Sequence, residues 1–504
     1  MMNITYGAQS LRQFQEWKLN QHVSDESAET AKTKRSILMD SLEISGLQFR
    51  AGGTKVFKGI MSRGCETCVN GLISFLYING LCTRDCFFCP QNRTMAHERP
   101  TSSAGMVFHD PDHYVDYIEA FGFKGVGFSG GEPLLVMEKL LLFLNRIKKK
   151  FGDSVYTWFY TNGDLVDERK LKDLRDAGMD EIRFNLSARD YDWGPVRLAR
   201  RFFDTVTVEI PAIPEDFERV IQILPPLGDI GVKHFNVHQL NLSQYNFKKI
   251  SGRDYSMFHT RDSGLVIHDS EMTALRLLKQ SADQDFDFSL NYCSTIYKER
   301  YQSSGMRKRL ARPVVADHET ISDSGYIVRI SAKGSQENLG KIVALFQEKG
   351  VRDALWKLLE TENGDFCLLF HPELIDSLPQ DNSNLFFHCF EAMIIPRERM
   401  DEGFDQSFEE KRITPSGSWT IGLKQVAGAD FVNAGMVRTL LKEPQSVSQD
   451  RQSEEHRDLH HLKSYIRIEH GFSDLISAKT YWAERKAASM SGLSHERTFR
   501  TVTV

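Results

Sequence analysis

The chain has 504 residues, of which 41 % are hydrophobic and 26 % charged, and its formal net charge is −5. A chain of this length is too long to fold around one hydrophobic core, so we expect two or three domains. The net charge is too small to indicate a particular class of partner. The N-terminus lacks an uninterrupted apolar core, and no run approaches the ~18 apolar residues of a membrane span. We therefore expect a cytoplasmic protein without a membrane-spanning segment.

The predicted elements, taken in chain order, describe an α/β protein. A polar helical stretch comes first, followed by a hairpin whose turn is Ala51-Gly52-Gly53. From residue 71, short apolar strands alternate with amphipathic helices such as 133–151 and 166–178. The strand candidates are residues 72–78, 125–130, 155–161, 181–187, 206–212, 234–240 and 286–292. Repeated strand–helix units predict a parallel sheet, here a partial (β/α)6-type TIM barrel whose chemistry lies after the C-terminal strand ends.

The pattern changes after about residue 315. Predicted strands at 325–334, 366–371 and 385–395 and a helix at 338–349 indicate a smaller C-terminal α+β domain. A polar stretch at 443–461 is typical of a linker, and a short amphipathic tail follows it. We therefore divide the chain into four parts: an N-terminal extension with helix and hairpin (1–63), a partial barrel (64–315), an α+β accessory domain (316–440) and a polar linker with a helical tail (441–504).

Three of the eight cysteines lie on one short loop, "LCTRDCFFCP", after the first predicted barrel strand. Cys82, Cys86 and Cys89 form the pattern Cys-x3-Cys-x2-Cys. A structural or electron-carrying cubane normally takes four thiolates, so three thiolates leave one iron open to another ligand. S-adenosylmethionine carries an adjacent amine and carboxylate that could chelate that iron. The alternative is a non-catalytic iron–sulfur or zinc protein whose fourth ligand lies elsewhere in the chain.

This loop resembles the signature of the radical S-adenosylmethionine enzymes, including an aromatic residue, Phe88, before the last cysteine. A second segment, "FSGGEPLL" at 128–135, is similar to that family's Gly-Gly-Glu-Pro motif at the end of the second strand. The resemblance implies that the three cysteines bind a [4Fe-4S] cluster. It also implies binding of S-adenosylmethionine by Gly130, Gly131, Glu132, Asn185, Ser187 and His238, with the Glu132 carboxylate accepting from the amino group of the cofactor.

Longer segments resemble one group within that family. "GCETCVNGLISFLYINGLC", "EIPAIP" and "NYCSTIYKERYQ" are similar to an archaeal-type group related to pyruvate formate-lyase activating enzymes, over about residues 40–312. That group often has Gly-Gly-Asp-Pro where this chain has Gly-Gly-Glu-Pro. The resemblance implies reductive cleavage of S-adenosylmethionine to a 5′-deoxyadenosyl radical, which abstracts hydrogen from a substrate. It also implies an external electron donor similar to flavodoxin or ferredoxin.

The substrate stays open at this stage. The resemblance suggests glycyl-radical installation, or more broadly the modification of a peptide, a protein or another bulky substrate, for which the extra C-terminal domain leaves room. A basic segment at 297–312 would suit phosphates, so a tRNA-modifying enzyme is a further alternative. A solvated helix face explains such a segment more simply.

The remaining cysteines have weaker signals. Cys65 and Cys68 form Cys-x2-Cys, which could provide half a zinc site, hold a second cluster or act as a dithiol. Because a seven-residue strand spans ~23 Å, a chain that runs straight would place this pair near the opposite end of the barrel from the cysteine loop, and only a loop that folds back would bring it near. Cys293 ends the last barrel strand, where it could donate hydrogen, ligate a second metal or form part of the wall. Its neighbour Tyr292 could relay a radical, and Cys367 and Cys389 are expected in a core.

Overall fold

The computed structural model describes residues 11–18, 20–21, 25–91, 100–260, 264–284, 288–360, 366–378, 385–396, 410–413, 420–431, 434 and 437. The predicted linker and tail at 441–504 lie outside this set. Contacts divide the chain into two compact units. The first contains the described residues up to 118 and 123–303, and the second contains 119–122 and those from 304 onward. None of the described helices is long and apolar enough to cross a membrane.

An eleven-stranded sheet forms the first unit. Its seven parallel strands are β3 (Ile73–Asn79), β6 (Gly125–Gly130), β7 (Tyr156–Thr161), β8 (Glu181–Phe184), β9 (Thr205–Pro211), β10 (His234–His238) and β13 (Ser289–Cys293). They are hydrogen-bonded in chain order. Short antiparallel strands extend both ends: β1 (Gln48–Arg50), β2 (Lys55–Lys58), β4 (Ser102–Ser103) and β5 (Met106–Val107). The predicted partial parallel barrel is confirmed, with β13 as a seventh parallel strand.

Helices follow most of the parallel strands. In this unit they are α1 (Asp25–Ile44), α2 (Arg63–Val69), α3 (Pro111–Phe121), α4 (Met137–Phe151), α5 (Glu168–Asp176), α6 (Gly194–Ala199), α7 (Phe217–Asp229), α8 (Phe247–Ile250), α9 (His268–Asp283) and α10 (Thr295–Tyr297), the last continued by a π-helix at Lys298–Ser303. A separate hairpin pairs β11 (Met257–Thr260) with β12 (Gly264–Ile267). The predicted hairpin near the N-terminus is β1–β2, and its turn residues Ala51, Gly52 and Gly53 all have positive φ.

The short helix α2 packs against the interior side of the parallel sheet. Cys65 Sγ lies 3.4 Å from Asn236 Nδ2 in the middle of β10, and a Cβ added at Gly64 would meet Arg183 Nη2 at 2.3 Å. Helix α2 therefore approaches the inward-facing side chains so closely that a Cβ at position 64 would force the Arg183 guanidinium to shift. Its cysteines are thereby directed toward the inward-facing side chains of the strands.

Arg183 and two glutamates form a buried charge cluster beside α2. The guanidinium bonds Glu181 Oε1 and Glu209 Oε2, each at 2.9 Å, and lies 4.7 Å from the Trp158 ring centroid. Arg183 is 4 % exposed and Glu181 is fully buried. A buried cation shared by two carboxylates and stacked on an aromatic ring fixes the geometry of three neighbouring strands.

The second unit is an α+β domain. Its antiparallel sheet has the order β16-β17-β15-β18-β20-β19, with β14 beside β15. The strands are β14 (Thr320–Ile321), β15 (Ile327–Gly334), β16 (Trp356–Glu360), β17 (Phe366–Phe370), β18 (Phe386–Pro396), β19 (Glu410–Ile413) and β20 (Thr420–Phe431). The helices are α11 (Ser304–Ala311) and α12 (Gln336–Glu348). Leu339, Ile342 and Phe346 of α12 pack on one sheet face with Phe370 and Phe387.

Contacts group residues from Ser304 onward with the second unit, and the expected end of the barrel at residue 315 stays a prediction. The finer division into four parts stays a prediction.

Replacing Arg183 with Met should lower the free energy of unfolding by about 3–5 kcal/mol, because Glu181 and Glu209 would stay buried without their shared cation. Urea unfolding of the apo protein measures this loss. Arg175→Met is the matched control, since its ion pair with Asp176 is about half exposed on both sides, and it should cost roughly 0–1 kcal/mol. Equal losses in the two variants would contradict the buried-charge argument.

Candidate active site

A cavity of about 410 Å³ opens at the C-terminal ends of the parallel strands and extends into the sheet interior. Six of the eight cysteines line it: Cys65, Cys68, Cys82, Cys86, Cys89 and Cys293. All eight cysteines lie in the described residues and none is in a disulfide. Cys367 and Cys389 lie in the second unit, where Cys389 belongs to the core and Cys367 is half-buried. The cavity therefore contains two sets of thiols, one on the loop after β3 and one deeper.

One side of the cysteine loop is tied to the loop after β7. Arg84, between the first two cysteines, donates to both oxygens of Asp164 at 2.6 and 2.7 Å, and Thr83 Oγ1 donates to the same carboxylate at 2.8 Å. Arg189 donates to it as well, at 2.6 Å. These hydrogen bonds lower the pKa of Asp164 to about 2, so its charge is present throughout the neutral range.

The other side of the loop is held by the segment after β10. Asn246 Nδ2 donates to the Phe88 carbonyl at 3.0 Å, and Ser243 Oγ donates to the Pro90 carbonyl at 3.1 Å. The guanidinium of Arg253 lies 3.7 Å from the Phe87 ring centroid. The loop is thus fixed from two sides before any ligand binds, which reduces the entropy lost on binding.

The Gly130-Gly131 pair allows two loops to touch. Gly131 N donates to Asn79 O at 3.0 Å, and Glu132 N donates to Leu81 O at 2.6 Å. A Cβ at Gly131 would lie 1.7 Å from Leu81 O, and one at Gly130 would lie 2.2 Å from Asn79 O. Because Cys82 directly follows Leu81, this contact fixes the position of the first cysteine of the loop.

Glu132 faces away from the cavity. Its carboxylate is fully buried and accepts from Leu134 N at 3.1 Å, Asn162 N at 2.8 Å and Thr161 Oγ1 at 3.0 Å. Burial raises the pKa of Glu132 to about 7, although these donors favour the charged form. Asn162 in turn donates to Thr83 Oγ1 at 2.8 Å and lies 3.7 Å from Cys82 Sγ. In this geometry Glu132 positions the cysteine loop through Asn162, and its predicted contact with the cofactor stays a prediction.

Two of the other predicted cofactor residues line the cavity. Asn185 presents a buried Oδ1 and His238 a buried Nδ1, and neither atom has a partner among the described residues. His238 Nε2 lies 2.7 Å from Glu209 Oε1, and burial lowers the pKa of His238, which favours the neutral ring. Ser187 is not among the lining residues, and its hydroxyl donates to Tyr191 OH at 3.2 Å. This geometry gives the predicted role of Ser187 no support.

The end of β13 brings Cys293, but not Tyr292, to the cavity. Cys293 lines it, whereas the adjacent Tyr292 faces the other side of the strand, where its hydroxyl donates to Gln239 Oε1 at 3.4 Å. Cys65 and Cys68 line the deeper part of the same cavity, on helix α2, and their expected position away from the cysteine loop stays a prediction.

Sequence reasoning missed several polar residues of the cavity. Lys55, Asn236 and Asn291 line or adjoin it, and each is a buried polar residue of a short strand. The signal was available, because a lone amide or ammonium inside a buried strand needs a polar partner. Spacing alone could not say that three distant strands bring these groups together.

Residues 76–242 match the model of the radical SAM superfamily. This segment is thus similar to the radical SAM domain. It is also 28 % identical over 352 residues to a protein of Methanocaldococcus jannaschii whose provisional name is glycyl-radical enzyme activating enzyme, covering 67 % of this chain and 90 % of that protein. The protein is therefore an enzyme, and the superfamily uses a [4Fe-4S] cluster and S-adenosylmethionine.

Two solved structures resemble parts of this chain at low similarity. SuiB of Streptococcus suis bound to S-adenosylmethionine is 12 % identical with a TM-score of 0.33, over 51 % of this chain and 59 % of that one. Methylornithine synthase is 13 % identical with a TM-score of 0.31, over 56 % of this chain and 85 % of that one. These similarities are too low to support a structural comparison. The fold assignment therefore depends on the strand order of the sheet.

The residues of this radical SAM domain fit the two cofactors of the superfamily. Cys82, Cys86 and Cys89 line one cavity and supply the thiol donors that iron–sulfur clusters take. The unpartnered Oδ1 of Asn185 and Nδ1 of His238 are available to a polar ligand in the same cavity. In the described part of the chain, no three His, Cys, Asp or Glu side chains are grouped to hold a single metal ion. A cubane takes its thiolates on separate irons, which requires no such grouping.

Glu132→Gln should remove one component of the pH dependence of stability. Since the pKa of about 7 in the folded protein exceeds the unfolded value of about 4.3, wild-type stability should fall as pH rises from about 4.5 to about 7. The slope of this component is at most ~1.4 kcal/mol per pH unit. Glutamine does not titrate, so the stability of the variant should lack this fall in urea unfolding of the apo protein. The exposed Glu138→Gln serves as control, and parallel profiles for wild type and Glu132→Gln would contradict the burial argument.

Proposed function

We propose that this protein reductively cleaves S-adenosylmethionine and uses the resulting radical to abstract hydrogen from a peptide or protein substrate. The observation that carries this proposal is the joint lining of one cavity by Cys82, Cys86 and Cys89 and by the Gly130-Gly131 edge. When bound, the cluster and cofactor supply the chemistry of the superfamily, an electron transferred to the sulfonium and cleavage of the 5′ carbon–sulfur bond.

The roles of the residues follow from their contacts. The three cysteines would bind three irons and leave the fourth open to the methionine end of the cofactor. The main chain at Gly130 and Gly131 would lie beside the methionine end of the cofactor. Asn185 Oδ1 and His238 Nδ1, which have no partner among the described residues, would be available to the other polar groups of the cofactor. Glu132 would act by positioning Asn162 and the loop, as its buried hydrogen bonds indicate.

The walls of the cavity favour containment of a radical. Its lining includes Phe75, Tyr77 and Tyr160 at one side and Ile210, Pro211 and Leu240 at another. Apolar and aromatic groups exclude water, and the close packing restricts which C–H bonds a reactive group can approach. Among the charged residues deeper in the cavity, Arg183 is held by ion pairs with Glu181 and Glu209.

The M. jannaschii protein named as an activating enzyme favours a macromolecular substrate with a glycyl residue as the target. The match covers 90 % of that protein, so it is not confined to the cofactor-binding core. The strands also form an open sheet, which leaves the cavity without a complete ring of strands in the described chain. A reductant of the flavodoxin or ferredoxin class would supply the electron.

The tRNA alternative depended on the basic segment at 297–312, and several of its side chains are already engaged. Lys298 lines the cavity, Lys308 lies 3.7 Å from an Asp323 oxygen, and Arg309 donates to the Phe121 and Gly122 carbonyls. Arg307 donates to the Ser324 carbonyl at 2.6 Å. These contacts explain much of the charge of the segment without a nucleic acid.

The test is formation of 5′-deoxyadenosine. Protein purified without oxygen and reconstituted with iron and sulfide should form it from S-adenosylmethionine after reduction by dithionite. The triple variant Cys82→Ala, Cys86→Ala, Cys89→Ala should lose at least 100-fold of this activity, because it lacks the thiolates of the loop. Liquid chromatography with mass detection measures the product.

Cys367→Ala, a thiol of the second unit, is the matched control and should keep the activity of wild type. If wild type gives no product, or if the triple variant gives as much as wild type, the proposal fails.

A further inference from the structure

Three thiols of the cavity have no role in the function proposed above. Cys65 and Cys68 come from α2 and Cys293 from the end of β13. The strand register pairs Cys293 with His238 on one side and with Lys55 on the other. Asn291 Nδ2 lies 3.8 Å from Cys65 Sγ and 3.7 Å from Cys293 Sγ, so one amide group touches two of the three sulfurs. These thiols form a group of their own, which we call the inner thiol set.

Hydrogen-bond donors surround the inner thiol set. Lys55 Nζ lies 3.1 Å from Cys293 Sγ, Asn236 Nδ2 lies 3.4 Å from Cys65 Sγ, and Gln302 Nε2 lies 3.2 Å from Cys68 Sγ. A neutral thiol is a weak acceptor that needs few donors. Converging N–H groups suit sulfur that carries negative charge, as thiolates bound to iron do.

Lys55 provides a second, independent argument. The residue is 1 % exposed, and among the described residues no carboxylate lies within ion-pair distance of its ammonium. Its contacts are the Cys293 sulfur and the face of Tyr297, whose ring centroid is 4.5 Å away. A buried ammonium without an opposite charge costs several kcal/mol. By contrast, the nearby Arg183 has two carboxylates. The inner thiol set is the group beside Lys55 that could supply the missing negative charge.

The spacing of the sulfurs favours a cluster over a single ion. Within the described residues, neither the inner thiol set nor the loop cysteines are grouped closely enough to hold one metal ion. A zinc ion draws its thiolates to Zn–S distances of about 2.3 Å and thus close to one another. A cubane spreads its thiolates over separate irons, as the loop cysteines are expected to do.

We propose that Cys65, Cys68 and Cys293 bind a second iron–sulfur cluster inside the same cavity as the first. Three thiolates would leave one of its irons without a protein thiolate, and Lys55 would balance its charge and keep its hydrogen bond to the Cys293 sulfur. The site extends the cavity chemistry beyond cofactor cleavage, and its occupancy does not depend on whether S-adenosylmethionine is cleaved.

The experiment counts iron and sulfide in full-length protein reconstituted without oxygen with ferrous iron and sulfide. Wild type should hold about eight irons per chain, since each [4Fe-4S] cluster holds four. The loop variant Cys82→Ala, Cys86→Ala, Cys89→Ala should keep about four irons, and the inner variant Cys65→Ala, Cys68→Ala, Cys293→Ala should also keep about four. Cys367→Ala should hold as much iron as wild type. About four irons in wild type and essentially none in the loop variant would overturn the proposal.

A second measurement covers the case in which the inner variant fails to fold. The loop variant alone, reduced with dithionite, should give the electron paramagnetic resonance signal of one [4Fe-4S] cluster. Adding Lys55→Met to the loop variant should shift the reduction potential of that cluster to a more negative value, because a positive charge and a hydrogen bond to sulfur are removed. A loop variant that binds zinc but no iron, or a potential that Lys55→Met leaves unchanged, would overturn the proposal. Deoxyadenosine formation by wild type, measured separately, distinguishes this failure from failure of the proposed function.

Discussion

The contact between the ends of β3 and β6 is the constraint on which the rest of the site depends. Gly131 and Glu132 donate their main-chain N–H groups to Asn79 and Leu81, and a Cβ at position 131 would overlap the Leu81 carbonyl. The glycine pair therefore has a packing function besides any contact with cofactor. Through this contact, and through the bonds of Glu132 to the loop after β7, the cysteine loop is held in place by two adjacent parallel strands.

Buried charge organises the interior below that loop. Arg183 is paired with two glutamates. Lys55 has no carboxylate partner among the described residues, and its position beside three thiols is the feature that most needs an explanation. A buried ammonium is costly unless an anion accompanies it, so the position of Lys55 favours an anionic group at the base of the cavity. The two proposals thus assign different functions to the outer and the inner part of the cavity.

Much of the fold could be predicted from the sequence, because short apolar strands separated by amphipathic helices permit few arrangements other than a parallel sheet. The Cys-x3-Cys-x2-Cys loop and its place after the first strand were equally accessible, since all three residues lie on one short segment. Spacing gives the length of β3, but it does not show that the preceding segment forms a helix that brings Cys65 and Cys68 to the same cavity. The inward orientation of Lys55, Asn236 and Asn291 depends on the pairing of three strands that are far apart in sequence. The orientation of the Glu132 carboxylate depends on hydrogen bonds from Thr161 and Asn162. No pattern in the local sequence indicates these hydrogen bonds.

The central claim is that a cluster on Cys82, Cys86 and Cys89 has an iron open to S-adenosylmethionine. The most direct measurement is the electron paramagnetic resonance spectrum of the reduced inner variant, which keeps the loop cysteines, recorded before and after S-adenosylmethionine is added. Direct coordination of the amine and carboxylate changes the ligand field of one iron, so the account predicts a clear shift of the g values. A spectrum that saturating S-adenosylmethionine leaves unchanged would contradict it and would favour a cluster that is fully ligated by the protein.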